Sequence, residues 1–174
     1  MKIGVVYGGT SSEAGASEKN AKAIEKVLCD LKYEAYLIPF KKNLIEELRR
    51  KKIDLVYVCV QGKDHGDGAI QAILTHEDIP YTGSGPQAAA LINDKILCKL
   101  LFDKLNIRTP KWTMLTKEQY CKGEIPLKDA DFPVVAKAPL EGGSFGIELI
   151  RSKDEISEIE KVFAYGDVIL LEQF

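Results

Sequence analysis

The sequence predicts an α/β protein, with a doubly wound parallel sheet over residues 1–93 followed by an α+β part over 94–174. Three observations point to it. Short apolar, β-branched runs alternate with helical patterns through the first 80 residues, the order that builds a parallel sheet. Two of those runs end in glycine-bearing loops, Gly8-Gly9-Thr10 and Gln61–Gly68. From residue 94 the pattern changes: Pro133–Lys137 and Ile147–Ile150 flank a glycine-rich turn, a strand–loop–strand unit with antiparallel character.

Taken in order, Ile3–Tyr7 (IGVVY) reads as a buried parallel strand closed by Gly8-Gly9. Ser17 is the expected N-cap of a helix running to about Lys32, with Ile24, Val27, Leu28 and Leu31 on its apolar face. A strand at Glu34–Ile38, a short charged helix over 43–51, a strand at Asp54–Val60 and a helix over 69–77 follow. Asp78–Pro86 is a turn-rich connection with a short strand at Pro80–Thr82. Asp94–Leu105 is amphipathic, with Ile96, Leu97, Leu100 and Leu101 on one side, and Asn106–Pro110 ends it. Lys111–Leu115 is a strand, 116–121 a short helix, and Lys122–Asp131 a polar stretch. Ser152–Phe163 is expected as a helix and Val168–Glu172 as the last strand.

Hydrophobic residues make up 45% of the 174 and charged ones 29%, which excludes wholesale disorder. With 24 Lys+Arg against 26 Asp+Glu, the net charge of -2 offers no basic excess for nucleic acid or an anionic membrane. No stretch approaches the roughly 20 apolar residues that span a bilayer. The opening MKIGVVYGG reaches glycine after a short apolar run and reads as a strand, not a signal peptide, so a cytoplasmic location is expected. Cys29, Cys59, Cys98 and Cys121 lack CxxC spacing and are expected as reduced thiols in or near cores.

Four motifs invite chemistry, each beside a plainer reading. Gly8-Gly9-Thr10 lets backbone amides approach a ligand, or simply packs closely; its spacing is neither GxGxxG nor a Walker loop. That, with no plausible ribose-binding acid after the second strand, argues against a dinucleotide-dependent oxidoreductase. Gln61–Gly68 gathers Asp64, His65 and Asp67 at a strand's carboxyl end, although a lone loop histidine is usually just solvated. Lys137-Ala-Pro-Leu-Glu141-Gly142-Gly143-Ser144-Phe145-Gly146 places a lysine before a loop whose amides suit phosphate; the same residues equally make a plain hairpin. Glu172-Gln173-Phe174 supplies an acceptor and an aromatic face, as an adenine pocket requires, yet many strands end this way.

In sequence order, VVYGGTSSE, QGKDHGDGAIQ, IPYTGSG, AAALINDK, VVAKAPLEGGSFGI and VILLEQF together resemble the D-alanine–D-alanine ligase family of the ATP-grasp superfamily. The resemblance covers essentially the whole chain. It implies a Rossmann-like pre-ATP-grasp domain (1–93) and an ATP-grasp central subdomain (94–174), with the family's C-terminal subdomain absent from these 174 residues. It implies phosphate contacts from Lys95 and Lys137, a phosphate loop at Gly142, Gly143, Ser144, Phe145 and Gly146, and an adenine hinge at Glu172, Gln173 and Phe174. Glu13, Gln61, Gly62 and Asp67 fall where the family binds its first amino acid, and Glu13 and Ser144 match catalytic positions. The implied cofactors are ATP and Mg2+, with the metal ligands after the hinge and none in this chain. The implied reaction is ATP-dependent peptide-bond formation through an acyl phosphate, within peptidoglycan biosynthesis, in a homodimer formed through the first domain.

The chain departs from the family pattern at four positions. Gly15 stands where the family has a second loop carboxylate, Gln61 replaces a histidine, Gly66 a glutamate, and Gly143 the first serine of the phosphate loop. All four lie around the amino-acid subsite, so a first substrate other than D-alanine is a live alternative, as is a non-catalytic nucleotide- or small-ligand-binding module. By themselves, these residues are expected to turn over no substrate.

Overall fold

Val5 and Val6 are fully buried at the centre of a parallel sheet, and their opposite directions explain the layering of the first half. In a computed structural model, which describes residues 1–62 and 67–174, the chain divides into two compact units, Met1–Asn93 and Asp94–Phe174. Strands β1 (Lys2–Tyr7), β2 (Glu34–Pro39) and β3 (Leu55–Val58) pair in the order β2-β1-β3, all parallel. Val6 joins Ile38, Val56, Leu44, Leu48, Ile70 and Leu74 in one core layer, under α2 (Leu44–Lys51) and α3 (Ala69–His76). Val5 joins Ala21 and Cys59 in the other, under α1 (Ala14–Asp30). Burying each such aliphatic side chain contributes on the order of 1.5–3 kcal/mol, which holds helices to both faces.

Some expectations need correction here. Ser17 does not cap α1: the helix begins at Ala14, and Ser17 is fully buried within it. Its hydroxyl accepts from Gly8 N (2.9 Å) and donates to the carbonyl of Cys59 (2.7 Å), tying three segments together. The predicted apolar face of α1 is only half covered, since Ile24 and Leu28 pack on the core while Val27 and Leu31 are exposed. Pro80–Thr82 makes a single parallel bridge, Val56 to Tyr81, rather than a strand. It is followed by a helix not foreseen, α4 (Pro86–Asn93), although a proline at the first helical position before three alanines is a start signal. Among the described residues the cysteines form no disulfide; Cys59 is buried, but Cys29 and Cys121 are exposed.

In the second unit β4 (Trp112–Thr116), β5 (Val134–Lys137), β6 (Ile147–Ile150) and β7 (Val168–Gln173) form an antiparallel sheet in the order β4-β7-β5-β6. α5 (Lys95–Lys104) and α6 (Lys117–Cys121) flank β4 in sequence. Lys153–Tyr165 winds as consecutive 3-10 turns, not the α-helix expected from the sequence. At three residues per turn, Ile156, Ile159 and Val162 stack on one side. They pack on Leu115, Val134, Ala136, Ile150, Ile169 and Leu171, which all lie on the same sheet face. Strand alternation then sends Lys137 and Glu172 to the other face. In the sheet register Val135 pairs with Glu172 and Lys137 with Leu170, so the two charged residues are diagonal neighbours.

Candidate functional site

The charged face of the second sheet is organised around Glu172. Its side chain is 10% exposed, and each carboxylate oxygen meets one ammonium group: Oε1 pairs with Lys99 and Oε2 with Lys137. Burial pushes the Glu172 carboxyl up, but the Lys137 and Lys99 ammonium groups outweigh it and hold the carboxyl below its usual range. Lys99 also donates to Thr109 Oγ1 and, at 3.4 Å, to the carbonyl of Pro110. Two cations on one carboxylate leave a positive charge uncompensated within the cluster.

The glycine-rich loop lies beside it in sequence, directly after Lys137. Ala138 N donates to Gly146 O (2.7 Å) and Phe145 N to Gly142 O (3.0 Å), closing the loop on itself. Gly143, Ser144 and Gly146 have φ of 57°, 68° and 61°. A side chain at Gly146 would come within 2.7 Å of Ala138 Cβ and 3.0 Å of the Tyr165 ring, so close packing as well as backbone angle demands glycine there. Lys95 fastens the loop's first half: its backbone N donates to Pro139 O (3.1 Å), and its Nζ donates to the carbonyls of Pro139 (3.3 Å) and Glu141. Asp94, the N-cap before it, accepts from the amides of Ile96 (2.8 Å) and Leu97 (3.1 Å) and so sets the start of α5. Ser144 and Phe145 are exposed on the loop.

The three expected hinge residues do not act alike. Glu172 joins the lysine cluster, whereas alternation turns Gln173 to the opposite face, where it lines a cavity of about 250 Å3 with Leu127, Val134 and Leu171. Phe174 is 77% exposed and is held by its amide, which donates to Pro133 O (3.2 Å).

In the first unit the loops after β1 and β3 meet. Ser11 Oγ donates to Gln61 O (3.0 Å), and Glu13 N donates to Ser11 Oγ (3.3 Å). Gly62, at φ 82°, lies so near that a Cβ on it would stand 2.6 Å from Ser11 Oγ and 2.9 Å from Glu13 Oε2. Glu13, Gln61 and Gly62 are thus brought together; Asp67 sits in the turn before α3, and Asp64, His65 and Gly66 lie outside the described residues. The IPYTGSG segment is tied to β3 through Val56 N to Pro80 O, Thr82 N to Val56 O, and Val58 N to Thr82 Oγ1.

No family model matches the chain. The D-alanine–D-alanine ligase of Carboxydothermus hydrogenoformans is 38% identical to it, over 100% of this chain and 57% of that protein. The ligase of Halalkalibacterium halodurans is 35% identical with the same coverage. The solved structure of the Bacillus anthracis ligase aligns over the full chain with a TM-score of 0.81 at 31% identity. The chain is homologous to D-alanine–D-alanine ligases along its whole length. It spans a little over half the length of these ligases, corresponding to their N-terminal and central portion. A second B. anthracis ligase structure, complexed with ATP, aligns with a TM-score of 0.81 at 32% identity. The Helicobacter pylori ligase, at 23% identity and a TM-score of 0.82, supports the fold alone.

Against that ligase background, the donor set of the second unit suits a nucleotide polyphosphate: cations in excess, a loop with left-handed turns, and a carboxylate on a strand. Among the described residues no group of three or more His, Cys, Asp or Glu is placed to hold a metal ion. No helix of the described residues is long and apolar enough to cross a membrane. Sequence reasoning missed Lys99 and Thr109. The available signal was spacing: Lys99 lies four residues after Lys95, one helical turn on, yet is 6% exposed while Leu97 and Leu100 of the expected apolar side are exposed.

Proposed function

We propose that the second unit binds ATP and the first binds an amino acid, as the ATP-grasp central and pre-ATP-grasp parts of a carboxylate–amine ligase. The observation that carries this is the pair of ammonium groups on Glu172, one of which, Lys137, stands immediately before the glycine-rich loop. When bound, ATP would supply the phosphoryl group that converts a carboxylate into an acyl phosphate, releasing ADP; an amine attacking the acyl carbon would then displace phosphate and form the peptide bond. Lys137 turns from Glu172 to a phosphate oxygen. Lys95 keeps the loop's base in place and reaches the phosphates from there, while the Ser144 hydroxyl and neighbouring loop amides close over the chain of phosphates. Glu172 meets the adenine amino group and Phe174 offers its exposed ring. Glu13 faces the amino acid's ammonium group beside Gln61, Gly62 and Asp67. Because the chain spans 57% of these ligases, turnover is proposed for a ligase of their full length and ATP binding for these 174 residues. Work in the cytoplasm, Mg2+ held outside this portion, and pairing of two copies through the first unit belong to the same proposal.

Calorimetric titration with ATP tests it. Saturable binding that Lys137→Met weakens at least about tenfold, or about 1.4 kcal/mol, is expected; no binding would sink the reading. A first substrate other than D-alanine is favoured by position 15. A Cβ on Gly15 would find nothing within 4 Å, so the space for the family's carboxylate stands open. ADP release by the ligase with D- and L-amino acids separates the two readings: stimulation by D-alanine alone would remove this second one.

A further inference from the structure

Glu172 has two lysine partners that differ in every respect but charge. The Lys99 side chain is 8% exposed, and its ammonium has three acceptors for its three hydrogens: Glu172 Oε1, Thr109 Oγ1 and Pro110 O. It has nothing left to offer a ligand. The Lys137 side chain is 26% exposed, and among the described residues its ammonium meets one acceptor, Glu172 Oε2. It retains donors and a way out. One lysine is therefore fixed and the other exchangeable, around a carboxylate that is 8% exposed as a residue.

The fixed lysine has a consequence for the exchangeable one. If Lys137 were the sole partner, moving it to a phosphate would strand a buried carboxylate, which is costly because an unpaired charge in a low-dielectric site loses its solvation without recompense. With Lys99 in place, the carboxylate keeps a partner on Oε1 whatever Lys137 does. Thr109 and Pro110, in the segment that ends α5, hold the Lys99 ammonium at the height of Glu172. We propose that Lys99 is a positioning residue for the nucleotide site: by holding Glu172 Oε1 in a lasting ion pair, it frees the Lys137 ammonium to leave that carboxylate for a phosphate group. This rests on the ATP-binding reading above and deepens it, since Lys99 itself touches no ligand.

The arrangement predicts a split between ligands with phosphates and ligands without. Chemical-shift titration of the isotope-labelled full chain with ATP and with adenosine measures it, the same spectra reporting that each variant is folded. In Lys99→Met, Glu172 retains Lys137 as its only cation, so ATP binding is expected to weaken at least about tenfold while adenosine binding changes less than about twofold. Thr109→Val, close in shape and removing one acceptor from Lys99, is expected to shift ATP affinity in the same direction by about two- to fivefold. It keeps the proposal testable should Lys99→Met fail to fold. Equal weakening of ATP and adenosine, or ATP affinity unchanged in a folded variant, would overturn the positioning role and leave nucleotide binding standing. A wild-type chain that takes up neither probe would overturn the nucleotide reading, and the proposal with it.

Discussion

The two loop clusters of this chain are built on opposite physics. In the first unit, Glu13, Gln61 and Gly62 are brought together by neutral hydrogen bonds through Ser11 and by a glycine that leaves room for nothing larger. In the second, Lys99, Glu172 and Lys137 are held by charge on a largely buried sheet face. A neutral, half-exposed loop junction tolerates a changed side chain as long as the backbone path is kept. A buried ionic cluster tolerates little, because removing one member strands the others.

The comparison breaks most visibly at Glu172. Glu172→Gln is expected to cost the second unit about 3–5 kcal/mol, since it leaves two ammonium groups without a carboxylate. Trp112, the single tryptophan, lies opposite Glu172 in the register of β4 and β7, so its fluorescence in a urea titration follows this unit alone. Acid does the same more gradually. The Glu172 carboxyl is held below its ordinary value of 4.5 in the folded chain, so the native state binds fewer protons than the unfolded one there. Its contribution is complete above pH 4.5 and drains away as the pH falls through the lower, folded value. Trp112 emission should show that loss in the wild type and a flatter acid limb in Glu172→Gln.

Smaller effects sharpen the other side. Gly62→Ala forces a side chain onto Ser11 and Glu13 at φ 82° and is expected to destabilise the first unit by about 1–2 kcal/mol. Amide hydrogen exchange of β1 and β3, which this loop junction ties together, measures it without reference to the second unit. Ser144→Gly should stabilise the second unit slightly, by about 0.5 kcal/mol, because it relieves a non-glycine residue at φ 68° on an exposed loop. The Trp112 urea midpoint is the measurement, and a destabilisation would mean that the Ser144 hydroxyl contributes more than its backbone strain removes.

Local patterns made most of the fold legible before any coordinates. The β-α alternation through residue 77 and the strand–loop–strand at 133–150 both follow from periodicity and glycine placement, which are properties of neighbours in sequence. What was not legible depended on partners far along the chain. Ser17 carries a helix-start residue's chemistry, but its hydroxyl is claimed by Gly8 and by Cys59, 42 positions away. Lys99 looks like a solvated residue in an amphipathic helix, and only a carboxylate 73 positions later makes it a buried one. On the expected apolar side of α5, Ile96 and Leu101 are part-buried but Leu97 and Leu100 are exposed. Gln173 and Glu172 are adjacent in sequence and serve opposite faces, which a motif written in one line does not convey.

Lys95 and Lys99 stand one turn apart on α5, the first clasping the carbonyls of Pro139 and Glu141 and the second clasping Glu172. Each added or deleted residue between them would swing one clasp about 100° around the helix relative to the other. The number of residues in between is therefore fixed by both clasps. The turn works as a ruler: an insertion or deletion among Ile96, Leu97 and Cys98 would release the glycine-rich loop or the charged strand in a single event.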